Sequence, residues 1–128
     1  MANMRESELE KRETTRLIAA DKVDGTAVYN RAGDRLGSIE NVMIDKLSGK
    51  VAYAVMSFGG FLGMGEKYHP LPWSTLTYDT DLNGYSIPMS KEVLEKAPAY
   101  SRDEGIDLSD RQWGEQVHRY YNVDPYWV

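Results

Sequence analysis

Three features of this 128-residue chain carry residue types that could do chemistry. The first is Gly59-Gly60-Phe61-Leu62-Gly63-Met64-Gly65, where clustered backbone N–H groups could cradle an anion. A phosphate loop needs Gly-Lys followed by Ser or Thr at the head of a helix. Here Gly65 leads through Glu66, Lys67 and Tyr68 into a strand-like run. The second is Asp79-Thr80-Asp81-Leu82-Asn83-Gly84, which copies the opening of a calcium loop. Its closing position is Ser90 instead of a bidentate glutamate and its flanks read as strands, so a hairpin turn is the better account. The third is the pair of histidines: His69 precedes a proline in a strand, and His118 lies in the last helix beside its apolar face. Either could be a pH-sensitive contact, and a structural role is the plainer reading. Carboxylates are plentiful, but none is paired in a setting that would raise a pKa for acid–base work, and no Ser-His-Asp arrangement presents itself. The sequence therefore nominates no catalytic residue, no cofactor and no metal ligand, and reads as a non-enzyme.

Composition narrows the field further. The hydrophobic fraction of 41% and charged fraction of 27% are those of an ordinary folded domain. A net charge of -5 offers no long-range field for phosphate backbones, so direct nucleic-acid binding is not expected. The absence of cysteine removes disulfides, thiol nucleophiles and thiolate metal sites together. No run approaches the roughly 18 apolar residues of a membrane span, and Met1 to Arg16 is too polar for a signal peptide. A cytoplasmic location without membrane insertion follows as the expectation.

The elements that would position these features begin after a charged arm, residues 1–16, read as disordered on composition or as a helix that orders on a partner. Leu17 to Ala20 and Thr26 to Tyr29 read as short strands, and Arg35 to Asp45 as a long one. In the long strand the apolar alternation slips, because Leu36 shares the register of Val42 and Ile44 while Ile39 does not. A bulge between Gly37 and Asn41 would restore the facing. Asn30 to Gly33, Lys46 to Gly49 and Asp81 to Gly84 each end in a glycine that suits a positive φ, so consecutive hairpins and an antiparallel meander are expected.

Val51 to Phe58 is apolar on both faces, with Ala52, Ala54, Met56 and Phe58 on one side and Val51, Tyr53 and Val55 on the other. Something must cover its outer face: the C-terminal segment, or a second copy of the chain. Lys67 to Leu71 forms the next strand, Pro72 closes it, and Trp73 plugs the core. Ser74 to Tyr78 and Tyr85 to Pro88 form a last hairpin. Ser90 caps a short helix ending before Pro98. Ser109 with Gln112, flanked by Leu108 and Trp113, suggests a capping box and hydrophobic staple for a second helix. Trp113, Val117, Tyr120 and Tyr121 share one face of it, and the aromatic ending through Tyr126 and Trp127 is expected to pack on the barrel or on a neighbouring subunit.

Gly33-Asp34-Arg35-Leu36-Gly37-Ser38-Ile39, the turn ending at Gly49, the apolar strand, the Gly59 to Lys67 loop and Pro72-Trp73 to Leu76 together resemble the PRC-barrel domain. That family includes the cytoplasmic part of the photosynthetic reaction-centre H subunit and the C-terminal domain of a ribosome maturation factor. The resemblance covers about Leu17 to Met89. The membrane helix of the one relative and the preceding barrel domain of the other have no counterpart here, so it implies a stand-alone bacterial member.

The fold expected is thus mainly β: a small antiparallel PRC-type barrel of about six strands at residues 17–89, followed by a short helix and a helical, aromatic extension at residues 90–128. Gly33, Gly37, Gly49, Gly59, Gly60, Gly63, Gly65, Pro72 and Trp73 are its structural turn and loop residues. The function the resemblance implies is adaptor work on a protein partner, on the chain itself as a homodimer, or both. Candidate contacts are Phe61, Leu62 and Met64 on the glycine loop, Tyr53 on the outer face, and Tyr126 and Trp127. Apolar side chains held outward on a loop mark interfaces, although the same loop could pack on the barrel end. Alternatives are a ribosome- or RNA-associated accessory factor, and a small-ligand module at the barrel mouth using the glycine loop, His69 and Trp73.

Overall fold

The computed structural model of the chain describes residues 17–58, 67–101 and 103–128. Four strands, β1 (Ala27–Tyr29), β2 (Arg35–Ile44), β3 (Val51–Phe58) and β4 (Lys67–Pro72), pair consecutively and antiparallel. Gly33 and Gly49 close the first two hairpins at φ of 90° and 77°, as the turn chemistry requires. The register slip in β2 is resolved by two single-residue bulges. Leu36 is the extra residue opposite β1 and Glu40 the extra residue opposite β3, which lets Leu36 and Ile39 both face the core.

Two further strands complete the sheet, β5 (Thr77–Asp79) and β6 (Gly84–Ser86), giving the six-strand order β4-β3-β2-β1-β6-β5. The expected all-antiparallel meander fails at one place: β6 runs parallel to β1, with Val28 beside Tyr85 and Tyr29 beside Ser86. The cause is the connection after β4. A 3-10 turn, Trp73–Thr75, pinned by the Thr75 hydroxyl donating to the Pro72 carbonyl at 2.7 Å, carries the chain onward instead of reversing it. β5 therefore runs in the same sense as β4, and the β5–β6 hairpin arrives at the far side of β1. β4 and β5 stand at opposite ends of the order and share no ladder among the described residues, so the sheet is open rather than a closed barrel.

Three local expectations also need correction. Leu17 to Ala20 does not form a strand. Leu17 to Ala19 lack regular structure, and a one-turn helix α1 (Ala20–Val23) follows. Local bonds outcompete pairing there: Lys22 N–H donates to Ala19 O at 2.9 Å and the Thr26 hydroxyl to Lys22 O at 2.9 Å. In the β5–β6 turn the left-handed residue is Asn83, at φ 52°. Gly84 lies in the strand instead, where a β-carbon would stand 2.6 Å from the Ala27 carbonyl oxygen, so only glycine fits. In the last helix, the Asp110 carboxylate caps by accepting from Gln112 N–H at 2.9 Å, while the Ser109 hydroxyl donates to Asp107 at 2.6 Å. The cap is thus one residue later than a Ser109–Gln112 box, which also takes Leu108 and Trp113 out of staple register.

That last element, α3 (Arg111–Tyr121), and the shorter α2 (Lys91–Glu95), capped by the Ser90 hydroxyl, follow the sheet in sequence. The two helices are tied together by the Tyr120 hydroxyl donating to the Val93 carbonyl. α3 ends in a Schellman arrangement: Asn122 takes φ 57° and ψ 46°, its N–H reaches Arg119 O at 3.1 Å, and Val123 N–H reaches His118 O at 3.0 Å.

The core lies on both sides of β3. Ala54, Met56, Leu71, Val28, Ile39, Ile87 and Leu94 are fully buried, and so are Tyr53 and Val117. β4 tolerates Pro70 and Pro72 because of strand parity. Tyr68 exchanges both backbone bonds with Tyr100, at 2.8 and 3.0 Å, so residues of its parity point their N–H side away from β3. The two prolines fall at that parity, cost no β3 ladder bond, and blunt the outer edge of β4.

Candidate interaction surface

The β2–β3 hairpin ends in a turn fixed by its own polar side chains. The Asp45 carboxylate accepts from the Ser48 hydroxyl at 2.6 Å, and Lys50 N–H donates to Ser48 Oγ at 3.2 Å. Asp45 N–H donates to Lys50 O and Gly49 N–H to Asp45 O, both at 2.8 Å. The Ser48 bond holds the Asp45 carboxyl below its ordinary value. A turn so braced projects Leu47 into solvent, 97% exposed, beside Ile44 at 50% and Met43 at 39%. Large apolar side chains exposed together, on a rigid support, are the usual mark of a contact surface.

Next to the hairpin lies a cleft of about 490 Å³. Met43, Ile44 and Tyr53 form one side of it, and Ile106, Leu108 and Tyr126 the other. The second wall is held by the Asp107 carboxylate, which accepts from the Ser109 hydroxyl at 2.6 Å and from Ser109 N–H at 2.9 Å. Those bonds keep the Asp107 carboxyl low. Glu104 is used in the same way by Ser101, whose backbone N–H reaches it at 2.7 Å and lowers its pKa. These carboxylates stay ionised as turn braces.

The expected site residues that are described have definite places. Tyr53 is not an outer contact: it is 1% exposed. The chain's own C-terminal segment covers it, with His118 at 5.4 Å and Tyr126 edge-on at 5.6 Å between ring centroids. Its hydroxyl is buried without a hydrogen-bond partner among the described residues, and burial raises its pKa. Tyr126 is half-buried and forms part of the cleft wall. Trp127 is half-buried against His118 at 5.5 Å, with the Arg111 guanidinium 5.1 Å from its ring. Phe61, Leu62, Met64, Gly59, Gly60, Gly63 and Gly65 lie outside the described residues. Gly37 meets β3 so closely that a β-carbon would stand 2.0 Å from the Ser57 carbonyl oxygen. Trp73 sits in the 3-10 turn, half-buried on Tyr85 at 5.6 Å.

The two histidines are enclosed. His69 is 2% exposed, edge-on to Phe58 at 5.2 Å, and desolvation pushes its pKa down to about 4. Its Nδ1 has no hydrogen-bond partner among the described residues. His118 Nδ1 lies 2.7 Å from the Gly114 carbonyl oxygen. The Asp79 carboxylate accepts from Asp81 N–H at 2.9 Å and Leu82 N–H at 3.3 Å, as an Asx turn does. Met43, Ile44 and Leu47 escaped the sequence reading as contact residues, since they pass there for strand and turn. The available signal was Met43 lying off the apolar register of its neighbours.

The family model for the PRC-barrel domain matches residues 16–94. This chain belongs to the PRC-barrel family. No curated protein matches it. PRC-barrel domains mediate protein interactions, and the match ends inside α2. The cleft therefore stands on a seam: Met43, Ile44 and Tyr53 come from the PRC-barrel domain, while Ile106, Leu108 and Tyr126 come from the segment beyond it. Among the described residues no helix is long and apolar enough to cross a membrane.

Proposed function

We propose that this PRC-barrel protein is a non-catalytic protein-interaction module whose working surface is the β2–β3 hairpin and the cleft beside it. The observation that carries the reading is the exposure of Met43, Ile44 and Leu47 on a turn braced by Asp45 and Ser48, at the seam between the family domain and the chain's own extension. A fold that many proteins share acquires its particular partner through what is added to it. The added part here contributes half the cleft. The use of Asp45, Glu104 and Asp107 as ionised turn braces, and the sealing of His69, support a binding role over acid–base chemistry.

Site-specific photo-crosslinking tests the proposal. A photoreactive side chain placed at Leu47 should capture a discrete protein adduct in a lysate of the source organism, and the same group at exposed Glu92 should not. Equal labelling from both positions would remove the hairpin from consideration.

A further inference from the structure

The second wall of the cleft has a composition of its own. Residues 103–110 carry Asp103, Glu104, Asp107 and Asp110 and neither lysine nor arginine. All four acids are exposed, while Ile106 and Leu108 between them are half-buried and line the cleft. On the hairpin side Asp45 adds a second carboxylate to the lining beside that of Asp107, and Lys46 adds a cation. These carboxylates are fixed in place without being cancelled. Asp45 accepts from the Ser48 hydroxyl, Glu104 from Ser101 N–H, Asp107 from the Ser109 hydroxyl and Asp110 from Gln112 N–H. Every one of these donors is neutral, so it orients the carboxylate and favours its charged form. Arg111, which follows the segment, lies instead over the Trp127 ring, 5.1 Å from its centroid.

We propose that the cleft takes a basic amphipathic segment of a partner protein. An apolar side chain of that segment seats between Met43, Ile44, Ile106 and Leu108, and lysines or arginines flanking it reach the carboxylates of Asp45 and Asp107. The argument is charge complementarity around an apolar floor. A cationic flank meets carboxylates that are already oriented, so little order is lost when the contact forms. An acidic flank would bring like charge to the same rim, which is how a surface rejects a wrong partner. An uncharged apolar segment would fill the floor and gain nothing from the rim. The net charge of -5 acts in the same sense at longer range, drawing a cationic partner toward the molecule.

This inference rests on the hairpin and its cleft being the working surface, and adds the chemistry of the partner. Capture of a protein at Leu47 without any preference for a basic peptide would leave that surface in place and remove this inference alone. Fluorescence anisotropy on the purified full chain uses three short fluorescein-labelled peptides. One combines lysine with leucine, the leucines on one helical face; the second has glutamate for lysine, and the third has serine for leucine. The lysine–leucine peptide should bind about tenfold or more tightly than either of the others. Asp45→Asn with Asp107→Asn keeps acceptors for Ser48 and Ser109 but removes both charges. It should weaken binding about tenfold and flatten its dependence on salt. Ile44→Ser with Ile106→Ser should weaken binding by about the same factor and leave the salt dependence unchanged. Glu92→Gln with Glu95→Gln removes equal charge from exposed positions of α2 outside the cleft, and should leave binding as it was. Circular dichroism verifies that each variant is folded. The proposal is overturned if the lysine–leucine peptide does not bind, or if the glutamate peptide binds as well, which would mean an apolar occupant. It is equally overturned if the lysine–serine peptide binds as well, or if the α2 variant weakens binding as much as the cleft variant, since net charge alone would then be the attraction.

Discussion

Gly114 of α3 stands directly over the phenol of Tyr53: a β-carbon at position 114 would lie 3.0 Å from the Tyr53 hydroxyl oxygen and 3.0 Å from the Trp127 ring. A residue with no side chain thus lets the helix, the central strand and the C-terminal segment meet at one point. Glycine in a helix interior costs about 1 kcal/mol relative to alanine, so its presence there signals a packing demand. Gly114→Val should destabilise the fold by about 2–3 kcal/mol through overpacking. It should also lift Trp127, read as a red-shifted and more quenchable tryptophan emission. An unchanged denaturation midpoint would show that α3 has room to spare.

The same contact leaves the Tyr53 hydroxyl buried, with no hydrogen-bond partner among the described residues. An unpaired buried hydroxyl carries a desolvation penalty that its removal relieves. Tyr53→Phe should therefore be neutral or stabilising by up to about 1 kcal/mol, an unusual outcome for a core substitution. A loss of more than about 1 kcal/mol in urea unfolding would mean the hydroxyl has a bonding role in the folded protein.

His69 couples the fold to pH. Its ordinary value near 6.5 falls to about 4 in the folded protein, chiefly by desolvation, with Lys67 adding to the shift. The unfolded chain then binds a proton more readily than the folded one. Stability from this group is full above pH ~6.5 and declines as pH falls toward about 4, by up to about 3 kcal/mol. His69→Leu should flatten that part of the stability profile when wild type and variant are unfolded in urea across the window. Parallel profiles would place the acid sensitivity elsewhere.

Asn122 ends α3 in the left-handed region, where asparagine is tolerated, glycine is free and β-branched residues are strained. Asn122→Gly should leave stability unchanged or slightly raised, and Asn122→Val should cost about 1–2 kcal/mol by thermal unfolding. A valine variant as stable as wild type would indicate that the C-terminal segment does not depend on this cap.

Much of the sheet was legible because its signals are local. Gly33 and Gly49 announce hairpins, and the mismatch of Leu36 and Ile39 announces a bulge. The two apolar faces of Val51 to Phe58 announce that something covers the strand on both sides. What was illegible depends on encounters between distant residues. The parallel placement of β6 beside β1 follows from a short 3-10 turn after Pro72 that carries no distinctive pattern. The burial of Tyr53 required knowing which helix lands on it, and the clue, Gly114 amid an aromatic face, has meaning only once α3 is docked. The cleft joins residues more than fifty positions apart, such as Met43 and Leu108, and no spacing in the sequence connects them.

A quantitative pull-down from source-organism lysate with three baits decides whether the β2–β3 hairpin is the working surface. These are wild type, Ile44→Asp with Leu47→Asp, and Phe61→Asp with Leu62→Asp, each verified as folded. A protein partner should be recovered by wild type and by the Phe61, Leu62 variant, and lost from the Ile44, Leu47 variant. Undiminished recovery by the Ile44, Leu47 variant, with loss confined to the Phe61, Leu62 variant, would contradict it and move the surface to the glycine loop.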